Sequence, residues 1–187
     1  MSGRRGRLVL LAVGLVAALA GAVALGVWVA SDEGTSDLTT SEAEAAGGTS
    51  IAADGQVLAR QAASVGHVVY WAGPVSNRRY ELTQTRDGRA YVRYLTAGAD
   101  AGDVRPQFLT VGTYPVDNAF GITQAAAARA DARRVRAPAG AVAFTTTTRP
   151  QSVYLAYEGS DLQIEVFHPT PQQARQLVES GRIRSIG

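Results

Sequence analysis

The chain has 187 residues, which leaves room for one ordinary domain and an anchor. All 18 basic residues are arginine, there is no cysteine, and the formal charge is +2. The missing cysteines exclude disulfides, thiolate chemistry, Cys-based zinc sites and a lipidated cysteine. With Arg4, Arg5 and Arg7 set aside, 15 arginines face 16 acidic residues, so the high isoelectric point is no sign of nucleic-acid binding.

Residues 1–7 form a short basic tail. Leu8 to Ala30 then runs 23 residues without a charge. As a helix this stretch is about 34 Å long, enough for the ~30 Å hydrocarbon core of a bilayer. Trp28 stands near its far end, where an indole prefers the interface, and Asp32, Glu33 and Asp37 follow. The positive-inside rule puts the N-terminus in the cytoplasm and the rest outside, as an uncleaved signal-anchor. Ala18-Leu19-Ala20 and Ala20-Gly21-Ala22 carry the small residues of a signal-peptidase site, so a cleaved leader is the competing reading. The apolar run continues well past both, which favours the anchor. Either way the same domain is exported.

Ser31 to Ser50 is small, polar and acidic and reads as a spacer. Ile51 to Gly187 reads as the folded domain. Ile51, Leu58, Ala62 and Val65 share a helical face behind Ser50, predicting a helix over 51–65 that stops at Gly66. His67 to Ala72 reads as a strand. Arg79–Arg86 and Arg89–Leu95 read as a hairpin around Asp87-Gly88, a dipeptide suited to a type I′ turn. That turn would set Tyr80 against Leu95, Glu81 against Tyr94 and Thr83 against Val92. Gln107 to Val116 is a strand interrupted by Gly112, a candidate bulge. An Ala-rich helix follows to about Arg136, and then strands at 141–148, 152–158 and 162–167. Thr170, Pro171 and Gln173 open a final helix with a capping box, and Gly181 closes it. The expected class is α+β: a transmembrane helix, then mainly antiparallel sheet packed with about three helices.

The runs His67–Pro74, Tyr80–Thr83, Asp87–Leu95, Phe108–Pro115 and Tyr157–Asp161 resemble uncharacterised single-pass membrane-anchored proteins of GC-rich bacteria. The resemblance covers most of 51–187. It implies the anchor-plus-domain layout and supplies no activity. The all-arginine usage fits the same coding bias.

Motifs for chemistry are sparse. There is no G-x-S-x-G elbow, no phosphate loop and no H-E-x-x-H, and the only histidines are His67 and His168. Glu81, Glu158, Asp161 and Glu165 lie on or beside strands, but nothing in their spacing brings two together as a hydrolytic pair. No catalytic residue, metal ligand or cofactor is assigned. Tyr70 and Trp71 stand out as aromatic contacts for a glycan or peptide, although most of the aromatics suit a sheet core. Arg129, Arg133, Arg134 and Arg136 form a basic stretch that suits anionic headgroups or wall polymers, or simply a solvated helix end. The expectation is a non-catalytic extracytoplasmic binding domain whose partner is an envelope protein, wall polymer or lipid, with no nucleic acid. An envelope hydrolase using strand-borne carboxylates or His67, and a lipid or lipoprotein carrier, are the alternatives.

Overall fold

The structure, a computed structural model, describes residues 49–103 and 105–186. The basic tail, the apolar run 8–30 and nearly all of the spacer lie outside the described residues. Among the described residues no helix is long and apolar enough to cross a membrane.

The elements are β1 (Thr49–Ala52), α1 (Gly55–Ala62), β2 (Tyr70–Trp71), β3 (Arg79–Gln84), β4 (Ala90–Leu95), β5 (Thr110–Pro115), α2 (Ala119–Ala126), β6 (Ala132–Val135), β7 (Ala141–Thr146), β8 (Ser152–Tyr157), β9 (Leu162–Phe167), α3 (Pro171–Glu179) and β10 (Arg184–Ser185). Eight strands form one antiparallel sheet in the order β1-β3-β4-β5-β9-β8-β7-β6, and β10 pairs with β2 in a separate two-stranded ribbon. Among the described residues the class is therefore α+β, mainly antiparallel sheet with three helices. Two meanders, β3-β4-β5 and β7-β8-β9, meet along β5 and β9.

Strand alternation sorts the side chains onto two faces. Tyr80, Leu82, Val92, Tyr94, Val111, Val153, Leu155, Ile164 and Val166 belong to one buried cluster with Leu58 of α1 and with Ala174 and Val178 of α3. Leu58, Val92, Leu155 and Ile164 keep none of their surface exposed. Withdrawing such a side chain from water is worth about 1.5–3 kcal/mol. The opposite face carries Val142, Phe144 and Tyr154, covered by Phe120, Ala126 and Ala127 from α2 and its end. Further along that face, Leu95 packs with Ala99 and Phe108 of the loop between β4 and β5.

Several expectations are corrected. Ile51 and Ala52 are strand residues paired with Glu81 and Tyr80, not the first turn of a helix. The helix starts four residues later because Asp54 is the better cap: its carboxylate accepts the Gln56 and Val57 N–H groups, both at 2.9 Å. Of the predicted strand 67–72 only Tyr70–Trp71 is regular, since only these two find a partner strand.

The β3–β4 hairpin differs by one residue. Arg79 pairs with Leu95, Tyr80 with Tyr94, Glu81 with Arg93 and Thr83 with Tyr91. Gly88 alone has positive φ (81°), whereas a type I′ turn needs it at Asp87 as well. The Gly88 N–H instead donates to Thr85 O, and the Thr85 N–H donates to Arg89 O. The longer connection resets the register, and with it which side chains meet.

Gly112 is no bulge. It pairs in step with Tyr91 on one side and Glu165 on the other. The Ala-rich segment is helical only to Ala126, and Ala132–Val135 is the edge strand β6. Val135 pairs with Ala143 and is buried, a gain in packing that overrides local helix propensity. At α3, Pro171 occupies the first turn as expected, but Thr170 makes no side-chain cap and no capping box forms. Gly181 ends that region with φ 68°.

Candidate functional site

The residues expected to bind fall in two separate places. Tyr70 and Trp71 sit on β2. Trp71 is buried, 8 % exposed, with its ring edge-on to Tyr80 at 5.7 Å. Tyr70 is half-buried and stacks on Tyr157 at 5.8 Å. Both pack against another aromatic ring, and Trp71 also lines an open groove. Arg133, Arg134 and Arg136 are exposed on and just after β6, at the far edge of the sheet. Arg129 lies in the turn before them and approaches Asp131 at 3.6 Å. The arginines therefore line a sheet edge rather than a helix face.

The main polar cluster lies under α2. Alternation along β9 turns Gln163 and Glu165 to that face, while Ile164 and Val166 enter the large core. Glu165 is 2 % exposed. Its Oε2 accepts the Tyr114 hydroxyl at 2.7 Å, and its Oε1 accepts Ser152 at 2.6 Å and Tyr154 at 3.2 Å. Burial pushes the Glu165 carboxyl up from its ordinary value. The three hydroxyls and the charge of Arg149 pull the other way. Tyr114 is raised well above the ordinary phenol by burial and by the neighbouring carboxylate. A β-carbon built on Gly112 would overlap the Tyr114 ring and hydroxyl, so the glycine makes the path along which Tyr114 reaches across to β9. Gln163 Nε2 donates to Thr123 of α2 at 2.9 Å, tying the helix down beside the cluster.

On the same sheet face Arg93 of β4 pairs with Glu81 of β3 at 2.9 Å. The other Glu81 oxygen accepts the Gly102 N–H at 3.0 Å. Arg93 also donates to the Asp103 carbonyl and lies 5.0 Å from the Phe108 ring centroid. This group staples the loop after β4 onto the sheet.

The histidines are occupied structurally. His67 Nδ1 lies 2.8 Å from Val68 O and Nε2 lies 2.6 Å from Gly88 O, so both contacts become hydrogen bonds only when both nitrogens carry hydrogen. His168 Nδ1 accepts the Thr170 N–H at 2.9 Å, and burial lowers its pKa. Glu158 and Asp161 are exposed, and Asp161 accepts the Asn118 N–H at 2.9 Å. Among the described residues no cluster of three His, Cys, Asp or Glu side chains is placed to hold a metal ion.

Two open grooves mark the surface. One, of about 470 Å³, runs between the start of α1 and the β2–β10 ribbon and is lined by Asp54, Gln56, Trp71, Pro74 and Arg184 among others. The Arg184 guanidinium lies 5.8 Å from the Trp71 ring centroid. The second, about 420 Å³, is lined by Asn77, Arg78, Arg79, Leu95 and Thr96 among others.

Sequence reading missed the partners of Glu165 and the contribution of Arg184. The first had a signal: a mid-strand glycine two residues before a tyrosine, which in a strand share one face. Arg184 had none, because its place depends on the tail folding back.

Comparison with known proteins finds no matching family model, no matching curated protein and no matching solved structure.

Proposed function

We propose that the described domain is a non-catalytic binding domain, displayed outside the cytoplasmic membrane and held there by residues 8–30. The observation that supports binding over catalysis is the seat of Glu165. The Glu165 carboxyl is buried, 2 % exposed, with both oxygens hydrogen-bonded to side-chain hydroxyls of β5 and β8. A hydrolase acid or base must reach the scissile bond, and this one faces only protein. Glu81 is committed to Arg93 in the same way. The sheet packs against α1 and α3 through one cluster of buried aliphatic and aromatic side chains, which weighs against a lipid carrier. What the domain offers outward is open grooves with guanidinium groups on their walls, features that suit a partner carrying carboxylates, phosphates or carbonyls.

The test uses the full chain in its native host. Protease added to intact spheroplasts should digest the domain while the N-terminal tail stays protected and membrane-bound. Chemical cross-linking in those membranes should trap a partner through the groove beside Arg184, and Arg184→Glu should lose it. A soluble mature chain would overturn the anchor. Turnover of an envelope substrate that is abolished by Glu165→Gln in a folded protein would overturn the non-catalytic reading.

A further inference from the structure

We infer that the outer edge of β10 takes an extended acidic peptide by strand addition, its main chain on Ser185 and a carboxylate on Arg184. The inference rests on the reading of the groove beside Arg184 as a binding surface, and names the partner that surface fits.

The backbone supplies the first observation. β10 pairs with β2 on one side, and its outer side bonds to no strand among the described residues. The Ile186 N–H donates inward to Val69 O at 2.8 Å. Inward and outward groups alternate along an antiparallel ribbon, so Ser185 and its partner Tyr70 both turn N–H and C=O outward. The Tyr70 N–H is answered within the fold, by the Thr113 hydroxyl at 3.0 Å. Among the described residues nothing answers the Ser185 N–H, and Ser185 is exposed. Outward main-chain groups with no strand beside them are what strand addition uses.

The side chains supply the second. Arg184 shares a ribbon face with Ile186 and with its own partner Trp71, and all three line the groove against α1. Its guanidinium is held over the indole, and a β-carbon on Gly73 would lie 3.3 Å from it. Arg182 and Arg184 are both exposed, and neither pairs with a carboxylate among the described residues. In an added strand, the residue opposite Arg184 points to the same face. A carboxylate there meets the planar fork of donors that takes both its oxygens.

Other anions fit less of the site. A sugar ring needs a free aromatic face to stack on. Trp71 is 8 % exposed, with Arg184 over it and Gly55 so close that a β-carbon there would lie 2.8 Å from the ring. A lone phosphate would engage Arg184 and leave the Ser185 main chain unused.

Octapeptides selected from a random displayed library against the full chain in detergent, with Arg184→Glu protein as counter-selection, supply the probe. Selected peptides should carry Asp or Glu at a fixed position. Labelled synthetic copies, followed by fluorescence anisotropy, should bind at least about tenfold more weakly after acid-to-amide change in the peptide or Arg184→Gln in the protein. Backbone N-methylation should abolish binding at one peptide residue and be tolerated at its two neighbours, the alternation of a strand. Ser185→Pro should lose binding and keep the fold by circular dichroism, because the N–H it removes faces away from β2. A library that yields no Arg184-dependent peptide overturns the inference, and so does binding indifferent to the position of the N-methyl group. If the membrane cross-link still vanishes with Arg184→Glu in either case, the groove binds a partner and only the peptide assignment falls.

Discussion

The Tyr114 hydroxyl donates to Glu165 across the bare backbone of Gly112, the residue directly opposite Glu165 in the β5–β9 pair. Donor, acceptor and vacated space come from two strands that the topology brings together only at the seam between the meanders. Gly112→Ala should therefore push Tyr114 off Glu165 and leave a buried carboxyl short of a donor, a loss of about 2–4 kcal/mol. Urea unfolding measures it. In a Tyr114→Ala background the same change should cost far less, because the overlapping ring is gone. Additive costs would show that the glycine serves some other purpose.

The raised Glu165 carboxyl makes a pH prediction with a definite sign. The folded protein holds this proton more tightly than the unfolded chain, whose value is near 4.5. The stabilisation is complete below that value and is lost as pH rises through the higher folded value. Stability of wild type relative to Glu165→Gln should thus be greatest at acid pH and decline toward neutrality. Asp103, held at about 2 by Arg105, acts in the opposite sense, losing its contribution as pH falls from 3.8, but it is common to both proteins and cancels. A difference that is flat with pH, or that rises with it, refutes the assignment.

Arg93→Ala should be among the more damaging single changes outside the core. It strands the Glu81 carboxylate, whose side chain is 3 % exposed, and unfastens the loop that bears Phe108. Breaking a buried pair from one side typically costs about 3–5 kcal/mol. The double change Arg93→Met with Glu81→Leu should recover much of that. Thermal unfolding of the three proteins decides it.

The hairpin between β3 and β4 offers a test of its turn. Gly88→Ala should cost about 1 kcal/mol or more, because φ is 81° there. Asp87 has ordinary negative φ, so Asp87→Ala should lose only its exposed ion pair with Arg89 and its bond to Thr85, within about 1 kcal/mol. Equal, large costs at both positions would return the turn to type I′.

The parts of the fold legible in the sequence are those whose signals are local. Pro171 and Gly181 bracket α3, and Gly159-Ser160-Asp161 joins β8 to β9. Hidden parts depend on distant partners. The Ala-rich run reads as one helix because nothing nearby reveals that Val135 will be buried opposite Ala143 on β7. The Tyr80–Tyr94 contact, with ring centroids 5.1 Å apart, follows from a one-residue register that turn composition alone misjudged. The Glu165 cluster draws on β5, β8 and β9, so no window of sequence contains it. The arginines were visible from the start, but whether they crown a helix or fringe a sheet was decided by where α2 stops.

The placement of β5 beside β9 also sets a timetable for biogenesis. A chain made from its N-terminus can complete β3, β4 and β5 early. The free side of Thr110–Pro115 then has no neighbour until Leu162–Phe167 has been synthesised. The central strand of the finished sheet is an open margin for that interval, and Tyr114 waits with its future acceptor still unmade. Stalled or truncated products ending before β9 should consequently be the aggregation-prone species of this protein.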